Sequence, residues 1–254
     1  MNGRILLLEG VDPGAKANFE AAGWEVDLRA GALGEADLVA AIGGFDAVGI
    51  RSKTQITPRV LEAARSLRVI GTFCIGTNQV ALDDAHRLGI PVFNAPFSNT
   101  RSVAELVMAE VVFLARKLGD RSREMHDGVW KKTAKDCHEV RGKTLGIIGY
   151  GHIGRQVGVL AEAFGMNVIF HDIISQLPMG NNTPAGGGLD EVLSRSDFVT
   201  LHVPATAQTE NMIGAAEIAK MPARSHLLNL CRGNVVVIEA VVEAVASGHL
   251  AGAA

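Results

Sequence analysis

Short apolar runs alternate with amphipathic segments along the whole chain. The runs have the length and β-branching of buried strands, and the segments between them have the period of surface helices. Strict alternation of strand and helix predicts a parallel sheet that is covered by helices on both faces. In the first part of the chain the pattern predicts strands at 4–9, 24–28, 47–51, 68–72 and 91–94, and helices at 13–22, 36–42, 57–64 and 82–88.

A segment rich in Asn, Pro and Ser at 94–100 interrupts this pattern and predicts a crossover between two domains, 1–98 and 99–254. Beyond it, Ser102 and Glu105 have the spacing of a capping box, which predicts a helix from 103 to about 118 with Glu105 as a cap residue. We expect two doubly wound α/β domains that are both incomplete at the carboxyl end of the sequence. The remaining pattern predicts helices at 120–135, 189–193, 215–220 and 236–247, and strands at 145–148, 168–170, 198–202, 226–230 and 251–254.

A glycine motif follows the predicted strand at 145–148. Gly149, Gly151 and Gly154 form a G-x-G-x-x-G that opens a helix. In a dinucleotide-binding turn these glycines permit the tight turn, the approach of a pyrophosphate and close helix–sheet packing, respectively. The helix N-terminus then binds the phosphate charge. Asp172 lies 23 positions after Gly149, near the spacing of about 20 expected for the acid that accepts a ribose 2′-hydroxyl. No Lys or Arg follows Asp172 closely, which favours NAD over NADP.

Composition argues against several other classes of protein. The 254 residues are 48% hydrophobic and 20% charged, with a net charge of −3. This balance is typical of a globular protein with a real core and argues against nucleic acid or a membrane surface as the main partner. No apolar run is long enough to span a bilayer, and the N-terminus lacks the pattern of a signal peptide. Three separated cysteines predict reduced thiols in a cytoplasmic protein and no metal site.

Residues that follow strands are candidates for function, because ligands of open α/β sheets bind at the carboxyl ends of the strands. Arg51 and Lys53 form a cationic pair that suits a carboxylate or phosphate, with a solvated loop as the alternative. Arg232 follows a predicted strand and suits a substrate carboxylate or carbonyl, with a structural ion pair as the alternative. His202 is interpreted as a satisfied histidine at a strand end, and Glu105 as a cap.

Several segments together resemble the D-isomer-specific 2-hydroxyacid dehydrogenases. The resemblance runs from Leu6 to the last residue and implies a flavodoxin-like substrate domain, a Rossmann NAD-binding domain and assembly into homo-oligomers. It implies NAD-dependent oxidation of D-3-phosphoglycerate to 3-phosphohydroxypyruvate, the first step of L-serine biosynthesis. The most distinctive segments are 75–80, 94–105, 145–154, 201–204 and 229–233.

The resemblance also implies roles for single residues. Arg232 matches the family's active-site arginine. Arg51 matches a substrate-domain arginine that reaches the anionic end of the substrate, with Lys53 and Asn99 as further substrate-binding candidates. The matching cofactor-binding positions are Gly149, Gly151, His152, Ile153, Gly154, Asp172, Val203, Pro204, Leu230, Cys231 and Arg232.

The sequence departs from the family pattern in two ways. The family's catalytic Glu and His come after the segment that matches 251–254, so the resemblance places both beyond Ala254 and predicts that this chain alone is inactive. Val237 stands where an Asp is common, and Ala223-Arg224 stands where Pro-Gly is usual. The second change predicts a strained turn before the strand at 226–230.

Two alternatives remain open. Fold and motif do not choose the acid, so another D-2-hydroxyacid dehydrogenase is the closer alternative. The second is a non-catalytic NAD-binding regulator on the same fold. The segment 94–105 and the cationic pair Arg51 and Lys53 argue against the regulator.

Overall fold

The computed structural model describes residues 2–254. They form two compact units that divide between Asn99 and Thr100, one residue from the predicted boundary. Each unit has a parallel sheet with helices on both faces, which confirms the predicted α/β class. The first unit is called the N-terminal unit below, and the second the C-terminal unit.

The N-terminal unit has a five-stranded parallel sheet of order β2-β1-β3-β4-β5. This is the flavodoxin-like order, in which the direction of winding reverses between β1 and β3. The strands are β1 (Gly3–Leu7), β2 (Trp24–Leu28), β3 (Ala47–Ile50), β4 (Val69–Thr72) and β5 (Val92–Asn94), and the helices are α1 (Pro13–Ala21), α2 (Glu35–Ile42), α3 (Pro58–Ala63) and α4 (Leu82–Arg87).

Apolar side chains of β1 divide between the two faces of this sheet, because successive side chains of a strand point in opposite directions. Ile5 and Leu7 belong to the apolar cluster that includes Phe19 of α1. Leu6 belongs to the cluster formed with α2, α3 and α4. A strand that is covered on both faces has no polar face, which explains the continuous apolar run in the sequence. Thr57 caps α3, its hydroxyl accepting from Val60 N–H.

The C-terminal unit has a six-stranded parallel sheet of order β11-β10-β9-β6-β7-β8. The winding reverses between β6 and β9. Its strands are β6 (Thr144–Ile148), β7 (Asn167–His171), β8 (Thr183–Pro184), β9 (Phe198–Leu201), β10 (Ser225–Asn229) and β11 (Leu250–Ala253). Its helices are α5 (Thr100–Arg116), α6 (Leu118–His126), α7 (His152–Ala163), α8 (Gly188–Arg195), α9 (Ala215–Ile218) and α10 (Ile238–Ala246), with a 3₁₀ turn at Gly233–Val235.

Helix α5 buries one face in this unit. Its buried residues follow the helical spacing of three and four positions and join β6, β7 and α7 in one apolar cluster. A second cluster on the other face of the sheet joins α8, α9 and α10 to β9 and β10. The buried residues of α5 are Ala104, Val107, Met108, Val111 and Ala115.

The predicted capping box is wrong. Helix α5 begins at Thr100, so Ser102 and Glu105 both lie inside the helix. Glu105 forms an exposed ion pair with Arg101 at 2.6 Å instead of capping the helix end. The S-x-x-E pattern gives the same spacing in a helix interior as at a boundary, so the pattern alone does not locate the first turn.

The predicted helix at 120–135 is also too long. Helix α6 ends at His126, and Gly128 follows with φ 72°. A glycine in the left-handed conformation just after a helix is a common terminator. The short strand β8, which pairs with β7, was not predicted. Most other predicted ends differ from the observed ones by one or two residues.

Two departures from the family pattern have visible structural effects. Arg224 has φ 65°, a left-handed conformation that a side chain disfavours, which confirms the predicted strain. Val237 is the residue before α10 and supplies no side-chain hydrogen bond to the helix end. An Asp or Ser at this position would accept from the exposed N–H groups of the first turn.

Candidate active site

The three glycines after β6 meet three different structural demands. Gly149 has φ 91°, and a Cβ there would lie 2.5 Å from the carbonyl oxygen of His202. A Cβ on Gly154 would lie 2.3 Å from the carbonyl oxygen of Gly149. Gly151 has no protein atom within 4 Å of the position that its Cβ would take. The first two glycines are therefore required by the fold, whereas the space above Gly151 is left clear for a ligand.

Helix α7 begins directly at this clear space. Its N-cap is Gly151, which supplies no side-chain hydrogen bond to the N–H groups of the first turn. The N–H groups of a helix's first turn and the positive end of the helix dipole bind phosphate and other anions. His152 and Ile153, two of the predicted cofactor contacts, are the first residues of α7. This arrangement fits the pyrophosphate of a dinucleotide.

Asp172 is held against residues 149–154, which are called the glycine turn below. One carboxylate oxygen accepts a hydrogen bond from Tyr150 N–H at 2.8 Å, and the other accepts from Ile174 N–H at 3.1 Å. These bonds fix the carboxylate just beyond the end of β7, where the ribose-binding acid is expected. The next two residues, Ile173 and Ile174, are 97% and 63% exposed. Because both are apolar, neither supplies a positive charge to neutralise a 2′-phosphate.

Tyr150 was not predicted as a site residue. Its side chain is fully buried and stacks on Phe170 with ring centroids 3.6 Å apart. Its hydroxyl accepts from Met179 N–H at 3.1 Å and from Asn182 Nδ2 at 2.6 Å. Tyr150 therefore ties the glycine turn to the loop after Asp172. The single tyrosine of the sequence lying inside the glycine motif was the available signal.

The segment after β9 contacts the glycine turn. His202 N–H donates to the carbonyl of Ile148 at 2.7 Å, and a Cβ on Gly149 would lie 3.0 Å from Val203. Burial lowers the pKa of His202 to about 4, so the ring is neutral at pH 7. It is paired with the Thr200 hydroxyl at 3.1 Å, which confirms the satisfied-histidine interpretation. Pro204 follows and is exposed.

Asn229 shapes the turn after β10. Its side-chain oxygen accepts from Cys231 N–H at 3.2 Å, and its Nδ2 donates to the carbonyl of Arg232 at 2.9 Å. Leu230 and Cys231 are half-buried, whereas Arg232 is exposed. The Arg232 guanidinium donates to the carbonyl of Cys231 at 2.9 Å and forms no ion pair among residues 2–254. The structural ion pair, the alternative interpretation of this arginine, is therefore not observed in the described chain.

These segments share one edge of the sheet. The glycine turn, Asp172, the 202–204 segment and the 230–232 turn follow β6, β7, β9 and β10, which are neighbours in the order β10-β9-β6-β7. Parallel strands end at the same edge, and ligands bind there at the point where the winding reverses. All predicted cofactor positions therefore meet at the carboxyl edge of the C-terminal sheet, around the β6–β9 reversal.

The substrate candidates lie in the N-terminal unit. Arg51 and Lys53 are exposed in the loop after β3, at the carboxyl edge of that sheet. Neither side chain forms an ion pair with any residue of 2–254. Asn99 is exposed immediately before α5 and is not hydrogen-bonded to Arg51 or Lys53 in the described chain. The loop backbone is hydrogen-bonded to Glu9 and Gln79, which were not predicted.

The described chain has neither a metal-binding cluster nor a membrane-spanning helix. Residues 2–254 contain no group of His, Cys, Asp and Glu that could hold a metal, and Cys74, Cys137 and Cys231 are free thiols. No helix in this range has the length and apolarity needed to cross a membrane. Within the same range, the rings of His202, His226 and His249 form no hydrogen bond to a carboxylate.

Comparison with known proteins gives consistent results. The family model described as D-isomer specific 2-hydroxyacid dehydrogenase, NAD binding domain, matches residues 108–254. D-3-phosphoglycerate dehydrogenase 1 of Saccharomyces cerevisiae is 53% identical over 251 residues, which are 99% of this chain and 53% of the relative. D-3-phosphoglycerate dehydrogenase of Escherichia coli is 51% identical over 252 residues, 99% of this chain and 61% of the relative. The chain thus spans about half to three fifths of these relatives.

Solved structures share the fold. D-lactate dehydrogenase of Aquifex aeolicus, crystallised with NAD and lactic acid, matches with a TM-score of 0.85 and 25% identity over 98% of this chain and 75% of that chain. NAD-dependent formate dehydrogenase of Staphylococcus aureus, in complex with NAD, matches with a TM-score of 0.84 and 28% identity over 98% of this chain and 80% of that chain. With its glycine turn, its anchored acid and the family match over residues 108–254, the chain belongs to the D-isomer specific 2-hydroxyacid dehydrogenase family.

Proposed function

We propose that this chain acts in the NAD-dependent oxidation of D-3-phosphoglycerate to 3-phosphohydroxypyruvate, the first step of L-serine biosynthesis. The observation that carries the proposal is identity of 51–53% over 99% of the chain to two D-3-phosphoglycerate dehydrogenases. The glycine N-cap of α7 beside the anchored Asp172 supports the dinucleotide part independently.

The C-terminal unit supplies the cofactor site in this proposal. NAD, when bound, supplies the acceptor for the hydride that leaves the carbinol carbon of the substrate. Gly149, Gly151 and Gly154 permit the approach of the pyrophosphate to the first N–H groups of α7, and Asp172 accepts the ribose hydroxyl. Contacts toward the nicotinamide end are assigned to Val203, Pro204, Leu230, Cys231 and Arg232.

Cationic side chains bind the substrate in this proposal. D-3-phosphoglycerate carries a carboxylate and a phosphate, and the guanidinium fork matches the geometry of both groups. Arg232 is assigned to the carboxylate and carbonyl end, which it orients and polarises. Arg51, with Lys53 and Asn99, is assigned to binding the anionic end of the substrate. The exposed, unpaired state of the Arg51 and Lys53 side chains in the described chain leaves them available for this role.

Oxidation of the hydroxyl also requires a base to accept its proton. Family resemblance assigns this role to a Glu–His pair at positions that this sequence does not include. We expect the residues named above to bind NADH and D-3-phosphoglycerate. Assembly as a homo-oligomer and a cytoplasmic location are further parts of the proposal, and the three free thiols support the location.

Two titrations test this proposal. NADH binding is measured by fluorescence, and D-3-phosphoglycerate binding by calorimetry, with D-lactate as the competing candidate acid. We expect Asp172→Ala to weaken NADH binding and Arg51→Ala to weaken D-3-phosphoglycerate binding. Arg65→Ala, which changes an exposed arginine of the same unit, is the matched control. Tighter binding of D-lactate than of D-3-phosphoglycerate would overturn the proposed substrate.

A further inference from the structure

Glu9 occupies the reversal point of the N-terminal sheet. It follows β1, and the loop of Arg51 and Lys53 follows β3, the neighbouring strand across the reversal. In sheets of this order the crevice between these two strand ends is the usual ligand position. Glu9 also has φ 63°, a left-handed conformation that is unfavourable for a residue with a side chain. A strained, charged residue in this position calls for a structural reason.

The Glu9 carboxylate is bound by the backbone of the neighbouring loop. One oxygen accepts from Arg51 N–H at 3.1 Å and from Thr54 N–H at 2.8 Å, and the other accepts from Lys53 N–H at 2.9 Å. Converging backbone N–H groups of this kind form an anion-binding nest. Burial by itself would raise the pKa of Glu9, but the hydrogen bonds from Thr54, Lys53 and Arg51 lower it below its ordinary value.

Gln79 binds the same loop at the backbone carbonyl of Arg51. The Gln79 side chain is 3% exposed, and its Nε2 donates to the carbonyl of Arg51 at 2.7 Å and to that of Gly76 at 3.1 Å. Glu9 and Gln79 therefore bind the N–H and the C=O of one residue, Arg51. This clamp fixes the direction in which the chain leaves β3.

The clamp leaves the cationic side chains unneutralised. A carboxylate close to Arg51 and Lys53 would ordinarily form an ion pair with one of them, but the Glu9 oxygens accept from backbone N–H groups. Among residues 2–254, neither Arg51 nor Lys53 has an ion-pair partner, and both side chains are exposed. The described chain thus has two cations without ion-pair partners on a backbone that Glu9 and Gln79 hold by hydrogen bonds.

We propose that Glu9 and Gln79 are positioning residues, which hold the 51–54 backbone so that Arg51 and Lys53 bind the anionic substrate. The inference rests on the proposed function of the Arg51 and Lys53 pair. It adds two residues that touch neither substrate nor cofactor and act through the loop.

Glu9→Gln separates positioning from charge, because the two effects have opposite signs. Removing a negative charge near an anion site by itself strengthens anion binding. Loss of positioning weakens it, since the NH₂ group that replaces one carboxylate oxygen is a donor and cannot accept from the loop N–H groups that this oxygen bound. We expect the dissociation constant of D-3-phosphoglycerate, measured by calorimetry well below the unfolding temperature, to rise about tenfold, as a loss of about 1.4 kcal/mol would give. NADH affinity should not change.

Asp46→Asn is the matched control. Asp46 accepts a single backbone N–H, that of Arg4 at 2.8 Å, and directly precedes β3 at the opposite edge of the same sheet. This variant makes the same charge change in the same unit, and we expect D-3-phosphoglycerate affinity within about twofold of the unmodified chain, since one surface charge on the far edge interacts weakly in water. Gln79→Met, which keeps the side-chain length and removes the donor, should weaken binding in the same direction as Glu9→Gln.

Amide hydrogen exchange gives a second readout that needs no substrate. The amides of Arg51, Lys53 and Thr54 should exchange at least about tenfold faster in Glu9→Gln, since the exchange rate follows local opening, and should be unchanged in Asp46→Asn. Unchanged exchange, or unchanged or tighter D-3-phosphoglycerate binding in Glu9→Gln while Arg51→Ala weakens it, overturns the inference and leaves the proposed function standing. Failure of the unmodified chain to bind D-3-phosphoglycerate overturns the proposed substrate and the inference with it.

Discussion

The two sheet-reversal turns of the molecule handle backbone N–H groups in opposite ways. In the C-terminal unit the residue before α7 is Gly151, which supplies no side-chain cap to the helix, and the space above it is clear. In the N-terminal unit the N–H groups of Arg51, Lys53 and Thr54 are occupied by the Glu9 carboxylate. The glycine turn of the C-terminal unit leaves backbone N–H groups accessible to a ligand. The 51–54 loop has its backbone N–H groups bound within the protein, and its Arg51 and Lys53 side chains remain available to bind an anion.

The backbone conformations of the two turns differ in the same sense. The left-handed residue of the C-terminal turn is Gly149, for which this conformation carries no steric cost. At the reversal of the N-terminal sheet, Glu9 and Gly10 follow β1 in the left-handed conformation, and this conformation carries no steric cost only for the glycine. A side chain in the left-handed region is retained where that side chain makes contacts that glycine cannot make.

The largest expected difference between the two units is the loss of stability in acid. Burial lowers the pKa of both His202 and His226 to about 4. The unfolded histidines protonate near pH 6.5 and the folded ones do not, so stability is full above pH 6.5 and is lost as the pH falls toward 4. Below that value the loss for His202 is about 3 kcal/mol. Glu9 has a lowered pKa, so its contribution is full above its unfolded pKa of 4.5 and is lost only below it.

Hydrogen exchange at pH 7 and pH 5, corrected for intrinsic rates, measures this difference. Peptides from β9 and β10 should lose protection at pH 5, whereas peptides from β1 and β3 should keep it. His202→Gln, which retains a partner for Thr200 without a titrating group, should reduce the loss, and the exposed His86→Gln should not. Equal loss of protection in both units would contradict the assignment to buried histidines.

Filling the clear space at Gly151 should have the next largest effect. Gly151→Ala meets no protein atom within 4 Å and requires no left-handed conformation. We expect an unchanged unfolding temperature and NADH affinity that is about 100-fold weaker, the equivalent of about 2.7 kcal/mol. Fluorescence titration of NADH measures the affinity. Gly31→Ala, which also meets nothing within 4 Å, is the control. Undiminished NADH binding would show that the ligand does not approach this turn.

Asp172 should decide between the two nicotinamide cofactors. The carboxylate lies on the glycine turn, and two exposed isoleucines follow it. A fixed negative charge repels a 2′-phosphate, so we expect NADH to bind more tightly than NADPH. Asp172→Asn should reduce the ratio of the two affinities by about tenfold, since one charged hydrogen bond and one repulsion are removed. Parallel titrations with both cofactors give the ratio, and an unchanged ratio would remove Asp172 from ribose recognition.

Arg224 provides the smallest test, and it concerns the left-handed residues. Arg224 has φ 65°, and its closest charged partner is Asp136 at 3.9 Å, an exposed pair of little energetic value. Arg224→Gly should therefore raise the free energy of unfolding by about 0.5–1 kcal/mol, because glycine removes the strain. Glu9→Gly removes similar strain but should lower stability, since three hydrogen bonds are lost. Urea titration measures both, and a gain in both variants would contradict the role given to the Glu9 side chain.

Much of the architecture was predictable from the sequence. Alternating apolar runs predicted every strand except β8 within one or two residues, because strands covered on both faces are largely apolar. The glycine motif and its spacing to Asp172 predicted the turn that the structure shows. The start of α5 was not predictable, since the S-x-x-E spacing at Ser102 and Glu105 also occurs inside helices. Strand β8 has only two residues and no apolar pattern.

Part of the candidate site was predictable from the sequence, and part was found only in the structure. The strand-end positions of Arg51 and Arg232 followed from the sequence, because the polar residues after a buried strand are few. Glu9 and Gln79 did not follow, since each acts on a loop more than 25 positions away in the sequence. A charged residue and a glycine directly after four apolar residues at 5–8 were the only signal for Glu9.

The sequence by itself determined the class of fold, the dinucleotide turn and the acid beside it, because each depends on residue types at short, fixed spacings. Only the tertiary structure decided which backbone groups are left open to a ligand and which are occupied. That choice depends on contacts between neighbouring strand ends, such as those of Glu9 with the 51–54 loop and of Gly149 with His202. Such contacts arise from strand order, and strand order is set by packing across the sheet rather than by any local pattern.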